Sequence, residues 1–282
     1  MSYSVRKNWG GSLGIIVTRP VIILPFIIVA FLEGLALELI YFFPRRPVAD
    51  IAAPLIRKFF GQGFMHYPAN FVILPKLFFY AEVVIYVFLG VFLAGISVNI
   101  FKNIKMGVTQ KTGVSVKNAL RPYLSFLVFG IIVIALMFVL KRAGTFIFFK
   151  AVGLAAGELP QILSGLIPFI FTLFLFMSNI ILQAFLVLTI PIVVIKKKSL
   201  IRALGGSVNL AFHNFSSIFA LVFFPFLIYL PVTLLKSDIP KLINRTFPEM
   251  TLWIIAVGIL LAAFVECFII VCASQFLLDK EE

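Results

Sequence analysis

Acidic residues are scarce in this chain. Only 11 of its 282 residues are Asp or Glu, and charged residues of both signs make up 12%. A soluble domain carries about twice that share, so the polar surface needed to cover a water-soluble globule is missing. Histidine is nearly absent as well. His66 and His213 are the only two, and neither has an acid or a nucleophile spaced to work with it, which leaves no Ser–His–Asp or Cys–His arrangement. Cys267 and Cys272 are the only cysteines. Five residues apart on one apolar run, they are separated by about 7.5 Å of helical rise, beyond easy disulfide reach. Two thiols without a nearby histidine do not make a zinc set either. They read as small packing residues. No glycine-rich phosphate loop appears. No enzymatic activity, cofactor or metal is expected.

What the chain does have is apolar length. Hydrophobic residues make up 62% and phenylalanine alone supplies 34 positions, with a mean hydropathy of +1.14. A membrane-crossing helix needs about 20 such residues. Six runs qualify: Pro20–Phe43, Leu77–Phe101, Tyr123–Leu140, Leu166–Ile195, Phe215–Leu235 and Leu252–Leu277. The expected fold is therefore all-α, a single polytopic membrane domain over residues 1–282 with about six transmembrane helices. The first run is expected to remain as a span rather than be removed as a signal peptide. The stretch Gln161–Ile195 is longer than one crossing needs, and it holds Pro168 and Pro191. Ser178-Asn179 is too weak a polar break for two spans, so one long helix is expected.

The net charge of +13 would point to nucleic acid in a soluble protein. Here the cations sit in short segments between apolar runs, the pattern of topology signals and anionic-lipid contacts. With no basic soluble domain, nucleic acid is not an expected partner. Placing both termini inside puts 13 of the 24 Lys and Arg residues on the inner side. The two inner loops hold no acid, while every outer loop holds at least one. N-in, C-in is the expected orientation, in a bacterial inner membrane.

Amphipathic segments flank the spans. After Lys196-Lys197-Lys198, the residues Ile201, Leu204, Val208, Ala211 and Phe215 fall three or four apart, on one helix face. Such a helix lies in the interface, apolar side down, with Arg202 and the lysines near phosphates. Gly205-Gly206 weakens or bends it. An earlier elbow repeats the design, since "SVKNAL" (Ser115–Leu120) echoes "SLIRAL" (Ser199–Leu204). The echo points to a duplicated span–basic elbow–span unit. Two more segments have interfacial spacing: Val5, Trp9, Leu13 and Ile16 near the N-terminus, and Val48, Ile51, Leu55 and Phe59 beside Arg57-Lys58.

Carboxyl groups inside hydrocarbon are the best pointer to function in a membrane sequence. Four qualify: Glu33 and Glu38 in span one, Glu82 in span two and Glu266 in span six. Glu33 and Glu266 fall near mid-depth. Glu38 and Glu82 both lie toward the outer side, and meet if spans one and two pack together. No Lys or Arg is found inside a span to pair with them, and an unpaired carboxyl in hydrocarbon is cheapest in its neutral form. A proton or cation path and simple hydrogen bonding between helices are both open readings.

The stretch "PIVVIKKKSLIRALGGSVNLAFHNFSSIFALVFF" (Pro191–Phe224) carries a family resemblance. It resembles the membrane domain of glycerophosphoryl diester phosphodiesterases and related multi-span bacterial proteins. There a Pro-ended span is followed by a charged residue, an Ala-Leu interfacial helix with Ser and Asn, and the next span. The matching positions are Pro191, Ser199, Ala203, Leu204, Ser207 and Asn214, and "RPVIILPFII" (Arg19–Ile28) is similar to that family's entry to span one. Lysines stand where the family commonly has an acid. No phosphodiesterase domain accompanies the spans in this sequence. The resemblance therefore implies a helical membrane module, not that activity. The leading expectation is a non-enzymatic module that binds lipid, chiefly anionic phospholipid, or a protein partner through Lys196, Lys197, Lys198 and Arg202. The alternative is a transporter or permease subunit, with the glutamates along a path and the basic elbow docked on a cytoplasmic partner.

Overall fold

The computed structural model describes residues 3–108, 112–155, 161–237, 239 and 247–280. Lys111 and the side chains of Val5 and Lys7 lie outside the described residues. The described chain is helical and contains no strand. Twelve helices follow in order: α1 (Tyr3–Thr18), α2 (Leu24–Tyr41), α3 (Val48–Phe59), α4 (Asn70–Ile85), α5 (Val91–Lys105), α6 (Thr112–Leu120), α7 (Tyr123–Ala155), α8 (Gln161–Leu186), α9 (Thr189–Ile195), α10 (Leu200–His213), α11 (Phe215–Ser237) and α12 (Met250–Asp279). A π turn at Tyr86–Gly90 joins α4 to α5. Six helical stretches are long and apolar enough to cross a membrane: Leu24–Tyr41, Asn70–Lys105, Tyr123–Lys150, Leu166–Ile195, Phe215–Lys236 and Met250–Asp279. The chain is an all-α integral membrane protein.

The second span is longer than its apolar run. Its 36 residues rise about 54 Å, against about 30 Å of hydrocarbon. Pro75 sits inside α4 without ending it. The third helix likewise runs on past Leu140 through Lys141, Arg142 and Lys150, because those residues are good helix formers.

The fourth span departs from the single continuous helix expected. It breaks at Val187-Leu188 into α8 and α9. Pro191 has no N–H to give to the carbonyl one turn earlier, and the two segments are each bonded from outside, α8 at its end and α9 at its end. Ser207 Oγ on α10 donates to the Phe185 carbonyl at 2.6 Å. Lys102 Nζ on α5 donates to the Ile195 carbonyl at 3.1 Å, an interaction favoured by the negative end of the helix. All but one of the seven residues of α9 are buried.

The elbow helix α10 also docks differently from expectation. Its protein-facing stripe is Ala203, Ser207 and Ala211, all at 0% exposure. Ile201 is 83% exposed and Phe212 67%. Three small side chains at four-residue spacing let α10 lie close to the span it follows, which fits membrane helix packing. In α6 the corresponding alanine, Ala119, is buried too.

The N-terminal helix packs one face against the protein and leaves the other exposed. Asn8, Ser12 and Ile16 are buried, while Leu13 is exposed. Ser12 Oγ donates to Gln275 Oε1 on α12 at 3.3 Å. Gly11 makes the approach possible, since a Cβ there would lie 2.7 Å from Gln275 Nε2. Trp9 packs edge-on against Phe224 and Phe268, with centroids at 5.3 and 6.3 Å. Helix α3 is two-sided. Ala53 and Ile56 face the protein, while Ile51, Leu55 and Phe59 face outward. Cys267 and Cys272 are buried free thiols.

Candidate functional site

Three of the four glutamates come together. Glu33 from α2, Glu82 from α4 and Glu266 from α12 line one cavity among the spans. Small neighbours such as Ala30, Ala262 and Ala263 leave the space open. About 20 Å³ is accessible to the centre of a water molecule, room for about one water. Glu33 is only 8% exposed, and no described protein group donates a hydrogen bond to any of the three carboxyls.

Glu38 is not part of this group. It is exposed on the outside of α2, so the expected meeting of Glu38 with Glu82 does not occur. The partner of Glu82 in span one is Glu33.

The fifth span, expected to end at Leu235, runs on to Lys236, and among the described residues no ion pair joins this lysine to the carboxyls. Lys236, in the last turn of α11, lies within electrostatic reach of Glu82 and Glu33. A lysine at a helix end usually extends toward water. This one turns back along its own helix. Its Nζ donates to Tyr229 Oη at 3.0 Å and lies 5.6 Å from that ring's centroid. The path runs against α12 at Gly258, where a Cβ would stand 3.5 Å from Lys236 Cε and Nζ. Tyr229 is itself within electrostatic reach of Glu82 and Glu266, and Tyr86, at the start of the π turn, is within reach of Glu266. Single-turn π bulges recur at functional positions because the extra residue re-aims the side chains that follow.

Sequence reading missed Lys236, Tyr229 and Tyr86. The available signal was the seven-residue spacing of Tyr229 and Lys236, which puts both on one face of α11.

If all three carboxyls were ionised, they would repel strongly across a cavity this small at low dielectric. Each proton or cation admitted relieves that repulsion. A metal ion needs its oxygen ligands within about 2.6 Å, and among the described residues no three His, Cys, Asp or Glu are placed to hold one. The arrangement suits a proton or a cation that binds through hydrogen bonds.

The basic elbow forms a second, separate cluster. Lys197, Lys198 and Arg202 are exposed, and Lys196 is half-buried at the end of α9. Lys197 holds a left-handed backbone at φ 51°. At the same end of the molecule Lys280 Nζ donates to Asn214 Oδ1 at 2.7 Å, which ties the end of α12 to the α10–α11 junction. His213 is exposed, its Nδ1 2.9 Å from the Asn209 carbonyl.

The fold defines the class: an all-α membrane protein with six helical stretches long and apolar enough to span, three of whose glutamates line one small cavity. Comparison with protein-family models, with curated proteins and with solved structures finds no match.

Proposed function

We propose that the protein is a transporter or a permease subunit, and that the acidic cavity is its working site. The observation that carries this reading is the convergence of Glu33, Glu82 and Glu266, from three different helices, on one enclosed space of about one water. Intramembrane carboxyls facing a shared cavity are the usual material of proton and ion paths. The cargo or coupling ion is a proton or another small hydrogen-bonding cation. No part of the reading requires catalysis. We orient the lysine elbows toward the cytoplasm of a bacterial inner membrane, both termini on that side, following the distribution of Lys and Arg.

The test is proton flux into proteoliposomes under an imposed membrane potential, read with a trapped pH dye. Wild-type protein should conduct above empty vesicles, and Glu33→Gln should abolish the excess. Flux equal to that of empty vesicles, or flux untouched by Glu33→Gln, sinks the proposal.

A second reading is favoured by the exposure of Lys197, Lys198 and Arg202 beside outward-facing Ile201. Under it the elbow binds anionic phospholipid or a protein partner, which agrees with the lipid-associated module that the phosphodiesterase resemblance implies. Each cation near an anionic surface contributes about 1 kcal/mol. Changing all three to Gln should therefore strip most of the anionic phospholipid retained in native mass spectrometry. Unchanged retention would leave the elbow as a topology signal only.

A further inference from the structure

We propose that the groove between α4 and α7 binds one anionic glycerophospholipid, with an acyl chain along the groove and the phosphate at the level of Lys76 and Arg142. The proposal does not depend on the acidic cavity, which is lined by other residues.

Two helices that touch at one end and part toward the other make the groove. At Gly130 on α7, a Cβ would stand 3.2 Å from Val87 Cα in the π turn, so the backbones meet closely there. Two turns along α7 the gap takes two rings: Phe79 and Phe138 lie edge to face, with centroids 6.0 Å apart. Along this splay Val83, Val84 and Val87 face Ile131, Ile134 and Ala135 across a space of about 350 Å³, within the range of small-molecule sites. The two contacts also set the register. Helices α4 and α7 run antiparallel, Val87 level with Gly130 and Phe79 level with Phe138. Lys76 therefore falls level with Lys141, next to Arg142.

Lys76 and Arg142 also continue the groove's own stripes. Lys76 is seven residues from Val83 and Arg142 seven from Ala135, which puts each within about 20° of that position around its helix. Both cations are exposed, and among the described residues neither forms an ion pair. The apolar runs end beside them, at Leu77 and Leu140, where hydrocarbon gives way to phosphates. From each cation to the closed end of the groove, at Val87 and Ile131, is 11 residues, a rise of about 16 Å. One leaflet supplies half of a hydrocarbon core about 30 Å thick. That match in depth fits a lipid chain, and the cations select an anionic headgroup, the Arg142 guanidinium being suited to bidentate phosphate binding. The site lies at the opposite end of the molecule from the lysine elbow. The span Asn70–Lys105 begins near Lys76 and ends near Lys102, whose Nζ bonds the Ile195 carbonyl beside the elbow.

The experiment is photolabelling of the full-length protein in phosphatidylcholine vesicles that contain a phosphatidylglycerol with a diazirine midway along one acyl chain. Labelled positions are mapped by peptide mass spectrometry. Label should concentrate on the segments 83–88 and 131–135, over Val257 and Leu260 of α12, which are also exposed. Unlabelled phosphatidylglycerol should compete about thirtyfold better than phosphatidylcholine, the ratio for two cations near a phosphate. Lys76→Gln/Arg142→Gln should erase that preference. Ala135→Phe, which fills the groove and leaves both cations, should lower labelling there several-fold. Label spread evenly over exposed apolar positions, equal competition by the two lipids, or a preference that survives Lys76→Gln/Arg142→Gln overturns the proposal. A dimer in native mass spectrometry with no label in the groove gives the surface to a second copy and overturns it as well. Mapping and competition are read on wild-type protein, so a variant that fails to fold leaves the decision intact.

Discussion

Proton flux through the double variant Glu33→Gln/Glu82→Gln is expected to fall no further than through the worse of its two single variants. Each single change should cost about 100-fold, the scale set by removing one positioned proton-transfer group. Groups that act as a unit lose their joint effect when either is removed, so the losses do not multiply. Glu33 and Glu82 line the same cavity of about one water, and that shared space is the physical reason for treating them as a unit. Glu38→Gln is the internal control. Its carboxyl is exposed on the far face of α2, so flux should stay at the wild-type level. The Gln variants should also keep their unfolding midpoints. Among the described residues no hydrogen bond to the Glu33 or Glu82 carboxyl would be lost, and Gln has nearly the same volume. Multiplying losses would mean two independent paths instead of one site, and a loss in Glu38→Gln would move the path to the outside of the helix.

The same three residues show how far the sequence could be read. Carboxyls in apolar runs stand out by composition alone, so Glu33, Glu38, Glu82 and Glu266 were all visible as candidates. Their grouping was not. Glu33 and Glu38 are five residues apart, which puts them about 140° apart around a helix. Only one of them can face a given neighbour, and the rotation of α2 is decided by what packs against it. Phe26, Val29 and Leu37 are buried on the Glu33 side, and that selects Glu33. Depth alone, which favours pairing Glu38 with Glu82, carries no information about rotation. Lys236 was hidden for a related reason. At the end of an apolar run a lysine reads as a loop cation, and its bond to Tyr229 is a side-chain conformation that the run does not reveal.

The spans were legible because apolar length is a property of the run itself. The break in the fourth span was less so. Pro191 marks a weak point, but prolines in membrane helices are often tolerated when neighbours satisfy the freed groups. Pro75 in α4 and Pro168 in α8 lie inside unbroken helices. At Pro191 the donors from Ser207 and Lys102 favour the broken form, and both come from distant segments. At α10 the apolar face read from the sequence runs through Ile201, Leu204, Val208, Ala211 and Phe215, and only Ala211 of these is fully buried. The docked stripe runs instead through Ala203, Ser207 and Ala211, because close approach between membrane helices is governed by small residues.

Gly95→Ala is expected to destabilise the protein by about 1–3 kcal/mol, the range for overpacking a filled interior. Glycine to alanine in a helix ordinarily gains about 1 kcal/mol, so the sign depends on what the new methyl meets. At Gly95, on α5, a Cβ would lie 2.6 Å from Phe126 Cε2 and 2.7 Å from Cζ on α7. Comfortable carbon contacts begin near 3.5 Å. Phe126 cannot step aside easily, since its ring is 1% exposed and rigid. The clash therefore outweighs the propensity gain. Two further variants isolate the cause. Gly205→Ala on α10 meets nothing within 4 Å, and should raise the unfolding midpoint by the helix-propensity gain alone. Gly95→Ala/Phe126→Leu should recover part of the loss, because a leucine at 126 vacates the ring edge that the methyl enters. The recovery is measured against Phe126→Leu alone as a double-mutant cycle. A coupling near zero would mean that Gly95 matters for its backbone freedom and not for the contact between α5 and α7.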